Sequence, residues 1–409
     1  MRILYLHQYF HTPAQGGGTR PFECTKRLVE WGHEVHVICA DSTVGTSGSP
    51  SYYSTQVAGI QVHWLRVPYS NKMNYRNRIA AFLRFAVRAC WCCRNLDYDY
   101  ELVFASSTPL TIAVPGIYAA ARRDVPFVFE VRDLWPEAAI HMGALKSRWT
   151  IAAARLLERT AYRRASHIIA LSPGIRDGIL AVGVLPEKVT VVPNACDVDL
   201  FSPGVGRSAQ RHALGFAEEF VCVYAGAMGA ANGLDYVLDA ASILRRAGVN
   251  DVIFVLQGDG SERGRLESRC ASEGLTNIMF LNPTGKDGVV RLLAAADAAL
   301  NIFKDMPLSH TCSPNKFFDA LAAGRPVITN TSGWLQQLVE TYRMGLFAEP
   351  AEPAQLAQQV LSLKRAPELC VEMGHNARHV AQECFSRDLL VRQIEHVLVS
   401  TAGTNSGGK

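Results

Sequence analysis

Short apolar runs alternate with helical patterns along almost the whole chain. In the first half the runs are Ile3–Gln8, Glu34–Ala40, Val62–Val67, Leu102–Ser106, Phe127–Val131, His167–Leu171 and Val189–Val192. The second half repeats the rhythm with Phe220–Ala225, Val252–Gln257, Ile278–Leu281, Ala298–Ile302, Val327–Thr329 and Leu346–Ala348. Parallel strands need a crossover and the intervening helices supply it, so the alternation predicts doubly wound parallel sheets. The fold class is α/β, with two Rossmann-like domains in tandem. Between them, Val191–Asp197 and then Phe201-Ser202-Pro203-Gly204, with a polar, basic stretch to His212, lose periodicity and gather turn residues. The division is 1–195 for the first domain, 196–215 for a linker and 216–375 for the second domain. A last helical stretch, roughly Arg378–Val399, lies beyond the final strand, and the low-complexity tail Gly403–Lys409 is expected to fray.

Composition agrees with that division. At 409 residues the chain is too long for one ordinary core, and 48% hydrophobic with 19% charged residues is globular. A net charge of +4 gives no reason to expect nucleic acid. The eleven cysteines are scattered, without paired metal-ligand spacing, and several sit in strand-like runs, which suits small buried residues in a reducing compartment. The first strand begins at Ile3, and no run of about 18 apolar residues offers a membrane span. The expectation is a cytoplasmic protein free to touch a membrane surface.

The most informative segment is Ser313–Ile328, a short helix with both ends marked. Ser313 can cap it, Pro314 suits its first turn, and Gly324 with Pro326 stops it before an apolar strand. Lys316 sits in the first turn, near the positive end of the helix dipole, which opposes an exposed cation by roughly 0.3–1 kcal/mol. Two readings fit. A phosphate at the free N–H groups of residues 314–316 would make the lysine a second grip on the anion. Alternatively Lys316 pairs with Asp319 one turn on.

Other candidates lie at the ends of strands, where open α/β sheets handle ligands. Strand one runs into His7–Pro21, with Gly16-Gly17-Gly18 able to bring backbone N–H groups close to a ligand. This is not a dinucleotide fingerprint. Arg20 beyond it either holds an anion or is solvated. Glu130, Arg132, Asp133 and Glu137 crowd the end of Phe127–Val131. Glu130 either does chemistry or pairs internally with a cation, and Asp133, just past the strand, is better placed to touch a substrate. Gly226–Gly233 follows strand Phe220–Ala225 and leads into a helix from about Leu234.

Residues 72–94 form a basic amphipathic helix. At about 100° per residue, Ile79, Leu83, Ala86 and Cys90 share one stripe and Arg76, Arg84, Arg88 and Arg94 fall within an arc of about 120°. Such a helix, flanked by Phe82, Phe85 and Trp91, can lie on an anionic bilayer or be an ordinary solvated surface helix.

These pieces together resemble a GT-B glycosyltransferase of family four, the retaining, nucleotide-sugar-dependent class, in the bacterial surface-polysaccharide subgroup similar to the fucosamine transferase WbuB. The resemblance rests on Gly16-Gly17-Gly18 with Trp31–Val35, on Val192-Pro193-Asn194, on Gly226–Gly233, on Gly258-Asp259-Gly260 and on Ser313–Val327, in that order along nearly the whole chain. It implies two domains facing a central cleft, with residues 376–400 crossing back to the first.

The resemblance also implies a site. Lys316, Asp133 and Glu130 are the catalytic candidates. Gly17, Gly18, Gly226, Gly229 and Asn232 would approach the donor, with Asn282 and Lys286 bordering its base. Ser313, Asn315 and Lys316 would meet its phosphates and Asp319 its ribose. Arg20 and His11 are the acceptor candidates. The implied reaction transfers a sugar, of N-acetylated amino type, from a UDP-sugar to an undecaprenyl-diphosphate-linked glycan, without a metal or other cofactor. Partners would be those two substrates and an anionic membrane surface through residues 72–94, with the protein peripheral on the inner face of the cytoplasmic membrane.

This chain departs from the family pattern where Thr311 replaces the first glutamate of the usual pair, Asp319 replaces the second, and Ala227 and Asn232 replace two phosphate-binding cations. The usual first-domain histidine is also replaced, near Arg132-Asp133. The loss of cations elsewhere makes Lys316 their natural substitute. A GT-B-fold UDP-sugar epimerase or a non-catalytic nucleotide-sugar-binding protein would share the same architecture.

Overall fold

The computed structural model describes residues 1–12, 19–42, 50–70, 73–201 and 206–406, with side chains as far as 403. The described chain divides into two compact units, one holding residues up to Pro193 and from Asp388 onward, the other Asn194–Arg387.

The first unit runs β1 (Arg2–Leu6), α1 (Arg20–Glu30), β2 (Glu34–Asp41), β3 (Tyr52–Val57), β4 (Ile60–Arg66), α2 (Tyr75–Asn95), β5 (Leu102–Ser106), α3 (Ala113–Arg123), β6 (Phe127–Val131), α4 (Glu137–His141), α5 (Arg148–Arg164), β7 (His167–Ala170), α6 (Pro173–Ala181) and β8 (Val189–Val191). Its sheet has the order β3-β4-β2-β1-β5-β6-β7-β8. Ile3 on β1 lies opposite Val35 on β2 and Leu102 on β5, and β5 and β6 are buried along their whole length, as helix-covered central strands must be.

All pairings in this sheet are parallel except β3 with β4. That hairpin was not expected, because Tyr52–Val57 is polar and largely exposed and lacks an apolar run. Its turn is Ala58-Gly59, both at positive φ, the geometry of a tight two-residue hairpin.

The second unit continues with α7 (Arg207–Ala213), β9 (Phe220–Ala225), α8 (Asp235–Arg246), β10 (Val252–Gln257), α9 (Arg263–Glu273), β11 (Ile278–Leu281), α10 (Lys286–Ala295), β12 (Ala298–Asn301), α11 (Asn315–Ala322), β13 (Val327–Thr329), α12 (Trp334–Thr341), β14 (Gly345–Phe347), α13 (Pro353–Arg365) and α14 (Pro367–Cys384). Its parallel sheet has the order β11-β10-β9-β12-β13-β14 around a core that includes Cys222, Tyr224, Phe254, Leu256, Leu300 and Ile328. The reversal of strand order beside β9 and β12 is a topological switch point. Helix α7 falls inside the stretch expected as linker. Arg207 and Arg211 tie it to Asp297, so it is part of the second unit.

The final helical stretch breaks at Phe385-Ser386. Helix α14 stays with the second unit, and α15 (Arg387–Ser406) belongs to the first from Asp388 onward, where Glu395 bonds His33 and Arg392 stacks over Trp31. The helix continues through Gly403 to Ser406, and residues 407–409 of the tail expected to fray lie outside the described residues. No disulfide joins any of the eleven cysteines, all of which lie among the described residues.

Candidate active site

In the second unit, β9 delivers the chain to Gly226–Gly229. The loop is tied to the end of β10: Gly226 N–H donates to Gln257 O at 2.9 Å and Met228 N–H to Asp259 O at 2.9 Å. The glycines are needed for this closeness. A Cβ on Gly258, whose φ is +149°, would lie 1.9 Å from Gly226 O, and one on Gly260 would lie 2.4 Å from Met228 O. Asn232, a donor-binding candidate, turns back instead and accepts the Gly229 N–H at 3.2 Å.

Helix α11 starts one residue later than the sequence suggests. Pro314 occupies the cap position and no side chain caps the helix. The Ser313 hydroxyl, expected to do so, accepts the Asn194 N–H at 3.1 Å, and its carbonyl accepts from the Asn194 side chain. The first-turn amides of Asn315 and Lys316 therefore have no side-chain cap, as an anion site at the helix end requires.

Lys316 does not pair with Asp319. Its Nζ donates to Tyr224 OH at 2.9 Å and to Ile302 O at 3.4 Å, and it lies 4.0 Å and 4.5 Å from the ring centroids of Tyr224 and Phe303. Half-buried against two aromatic faces and with no carboxylate partner among the described residues, the ammonium is costly to desolvate. Burial lowers its pKa to about 7. Asp319 is buried and pairs with Lys286, whose Nζ donates to its two oxygens at 2.7 and 2.8 Å. Lys286 also lies 4.9 Å from the Phe201 ring centroid. Asn282 is exposed beyond β11.

In the first unit, two candidates meet each other. Arg20, read as anion-holding or solvated, is 6% exposed, and Glu130 is 2% exposed. Arg20 Nη2 and Nε donate to Glu130 Oε1 at 2.8 and 3.1 Å, while Nη1 and Nη2 also bond the carbonyls of Pro193 and Val192. The Ser106 hydroxyl donates to the other Glu130 oxygen. Burial raises the Glu130 pKa, but Arg20, Arg132 and Ser106 outweigh it and hold the carboxyl below its ordinary range. This is a structural ion pair tying α1, β6 and the end of β8. The ligand-facing expectation for Arg20 and Glu130 gives way to it.

Asp133 is exposed past β6 and accepts the Thr108 hydroxyl at 2.8 Å. His11 is half-buried, which lowers its pKa. Buried His7, with Arg132 Nη1 2.9 Å from its Nε2, is held neutral, first by burial and then by the arginine charge. Gly17 and Gly18 lie outside the described residues.

Tyr224, Phe303 and Thr108 escaped the sequence reading. Tyr224 and Lys316 are 92 positions apart, and only the β9–β12 neighbourhood brings them together.

The two-unit α/β fold is shared with known proteins. Residues 15–195 match the Glycosyl transferase 4-like domain and residues 219–365 match Glycosyl transferases group 1. The chain belongs to the GT-B glycosyltransferase family. It is 24% identical over 389 residues, 90% of its length and 93% of the relative's, to Escherichia coli K12 WcaI, whose name is that of a colanic acid biosynthesis glycosyl transferase. It is 29% identical over 209 residues, 50% of its length and 52% of the relative's, to the 2-deoxystreptamine glucosyltransferase of Streptomyces kanamyceticus. Among solved structures it superposes on Anabaena HepE in complex with UDP-glucose with a TM-score of 0.72 at 21% identity, covering 98% of this chain and 100% of that one. The lipopolysaccharide glycosyltransferase WaaG gives 0.70 at 19%, covering 97% and 99%.

Proposed function

We propose that this enzyme is a retaining glycosyltransferase of family four. It moves an N-acetylated amino sugar from a UDP donor to an undecaprenyl-diphosphate-linked glycan in bacterial surface-polysaccharide synthesis, without a metal. The observation that carries the reading is Lys316: a lysine in the first turn of a helix without a side-chain cap, with no carboxylate partner among the described residues, beside a glycine loop at a switch point. A diphosphate supplies the charge this arrangement lacks. The WcaI name and the UDP-glucose complex of HepE favour polysaccharide synthesis and a UDP donor.

In the reaction the bond between the anomeric carbon and the donor phosphate oxygen breaks, and the acceptor hydroxyl bonds that carbon on the same face. The hydroxyl proton passes to the departing phosphate. Charge grows on the leaving diphosphate, where Lys316 and the α11 amides stabilise it with dipoles already in place. Asp133, exposed and oriented by Thr108, is the carboxylate that orients the acceptor hydroxyl.

The enzyme works at the inner face of the cytoplasmic membrane. Helix α2 buries Phe82, Phe85, Ala86, Ala89, Cys92 and Cys93, while Leu83, which shares a stripe with Ala86 in the sequence pattern, is exposed. Leu83, Val87 and Trp91 form an outward apolar row, with Val87 71% and Trp91 58% exposed, next to exposed Arg76, Arg84 and Arg94. Helix α5 adds Trp149, 77% exposed, and Leu156 among exposed arginines. Both rows suit an anionic bilayer surface. No helix among the described residues is long and apolar enough to cross a membrane.

The test is transfer from labelled UDP-N-acetylated amino sugars to lipid-diphosphate-linked glycan. Product with the same anomeric configuration as the donor, lost in Lys316→Ala, supports the proposal. Epimerised donor without transfer, or donor bound and unchanged, replaces it with the epimerase or the binding protein.

A further inference from the structure

The Tyr224 hydroxyl does two things at once. It accepts a hydrogen bond from Lys316 Nζ at 2.9 Å and donates one to Ala227 O at 2.7 Å, inside the glycine loop. Gly226 packs directly over it, since a Cβ there would lie 3.4 Å from the phenol oxygen. The ring is fully buried in the core of the second unit, and burial keeps the phenol protonated well above neutral pH. Tyr224 is thus rigid, neutral and committed to both the lysine and the loop.

Resting on the phosphate reading of Lys316, we propose that Tyr224 is a positioning residue of the donor site, whose hydroxyl holds the Lys316 ammonium and the Gly226–Gly229 loop in one hydrogen-bonded unit. The geometry separates this role from packing. The aromatic face alone offers Lys316 a cation–π contact, and the hydroxyl alone links the lysine to the loop. An acceptor oxygen at 2.9 Å favours the charged amine, so it offsets part of the burial penalty on Lys316. The other groups facing the ammonium are the Phe303 ring, the Ile302 carbonyl and the Cys312 thiol.

The test compares wild type with Tyr224→Phe, which keeps the ring, by measuring UDP affinity between pH 6 and 9. UDP's own terminal phosphate titrates near pH 6, and the wild-type curve measured alongside cancels that contribution. The expected result is an unliganded melting temperature within a few degrees of wild type, UDP bound roughly 5- to 20-fold more weakly, and the alkaline loss of affinity beginning at lower pH. In turnover the change should appear mainly in KM. Wild-type affinity and pH profile in Tyr224→Phe, with UDP binding lost in Lys316→Ala, overturn the role of Tyr224 and leave the phosphate reading standing. Unchanged UDP binding in Lys316→Ala overturns both. If Tyr224→Phe fails to fold, 3,5-difluorotyrosine at position 224 keeps ring and hydroxyl while weakening the oxygen as acceptor. The same downward shift of the alkaline limb supports the proposal, and an unshifted limb overturns it.

Discussion

Lys286 Nζ sits 2.7 Å from one carboxylate oxygen of Asp319 and 2.8 Å from the other, closing both ends of a pair that joins the start of α10 to the middle of α11. Asp319 stands where the family resemblance places the ribose-binding carboxylate. A carboxylate has about four lone-pair sites, so it can keep Lys286 and still accept from ribose hydroxyls. The pair is mostly buried, and removing one partner strands the other. A double-mutant cycle of Lys286→Ala and Asp319→Ala, read by urea unfolding, should give a coupling energy of about 1–3 kcal/mol. Simple additivity would show that the contact contributes nothing.

Glu130→Gln should destabilise the protein by about 3 kcal/mol, because it leaves the Arg20 charge buried without its counter-ion. The pH dependence has a definite sign. The folded carboxyl titrates below its unfolded value of about 4.3. Its contribution is therefore complete above that pH and is lost as pH falls through the lower folded value. Acid unfolding followed by circular dichroism should show Glu130→Gln losing less stability than wild type between about pH 4.3 and the onset of denaturation.

Lys316 titrates in the opposite sense. Burial lowers its folded pKa to about 7, against about 10.4 unfolded. Between those values the unfolded chain carries the extra proton, so the unliganded protein gains stability as pH rises from about 7 to 10. Donor binding calls for the ammonium and reverses the trend. The melting-temperature increment given by UDP-N-acetylglucosamine should be largest below about pH 7 and shrink above it. An increment that does not change with pH contradicts the assignment.

The membrane proposal rests on exposed side chains, which also selects the variants. Arg88 is a poor choice, since its guanidinium bonds the Arg66 carbonyl. Arg84→Glu with Trp91→Ser changes only the exposed row of α2. At about 1 kcal/mol per basic residue near the surface, reversing one charge and removing the aromatic anchor should cut sedimentation with anionic vesicles more than tenfold. The melting temperature should not change. Undiminished sedimentation sinks the role of α2.

Much of the architecture was legible because buried parallel strands must be apolar. Leu102–Ser106, Phe127–Val131, Phe220–Ala225, Val252–Gln257, Ile278–Leu281 and Val327–Thr329 have in the structure the bounds that the apolar runs gave. Strand β3 was invisible for the same reason, since an exposed edge hairpin carries no apolar signature. Within the site, the oddity of Lys316 in a first helical turn was a local signal and could be read. Its actual partner was not, because Tyr224 lies 92 positions away on β9. The Arg20–Glu130 pair, 110 positions apart, likewise turned two residues that looked ligand-facing into a buried tie.

The most direct test of Lys316 as the donor-phosphate ligand is a thermal-shift panel of UDP, GDP, ADP, UDP-N-acetylglucosamine, UDP-N-acetylfucosamine and NAD on wild type and Lys316→Ala. A ligand that binds only the folded state raises its melting temperature by mass action. A rise with the UDP compounds, at least tenfold weaker in apparent affinity in the variant, is the predicted result. UDP stabilisation equal in the two proteins, or stabilisation by NAD alone, would contradict it.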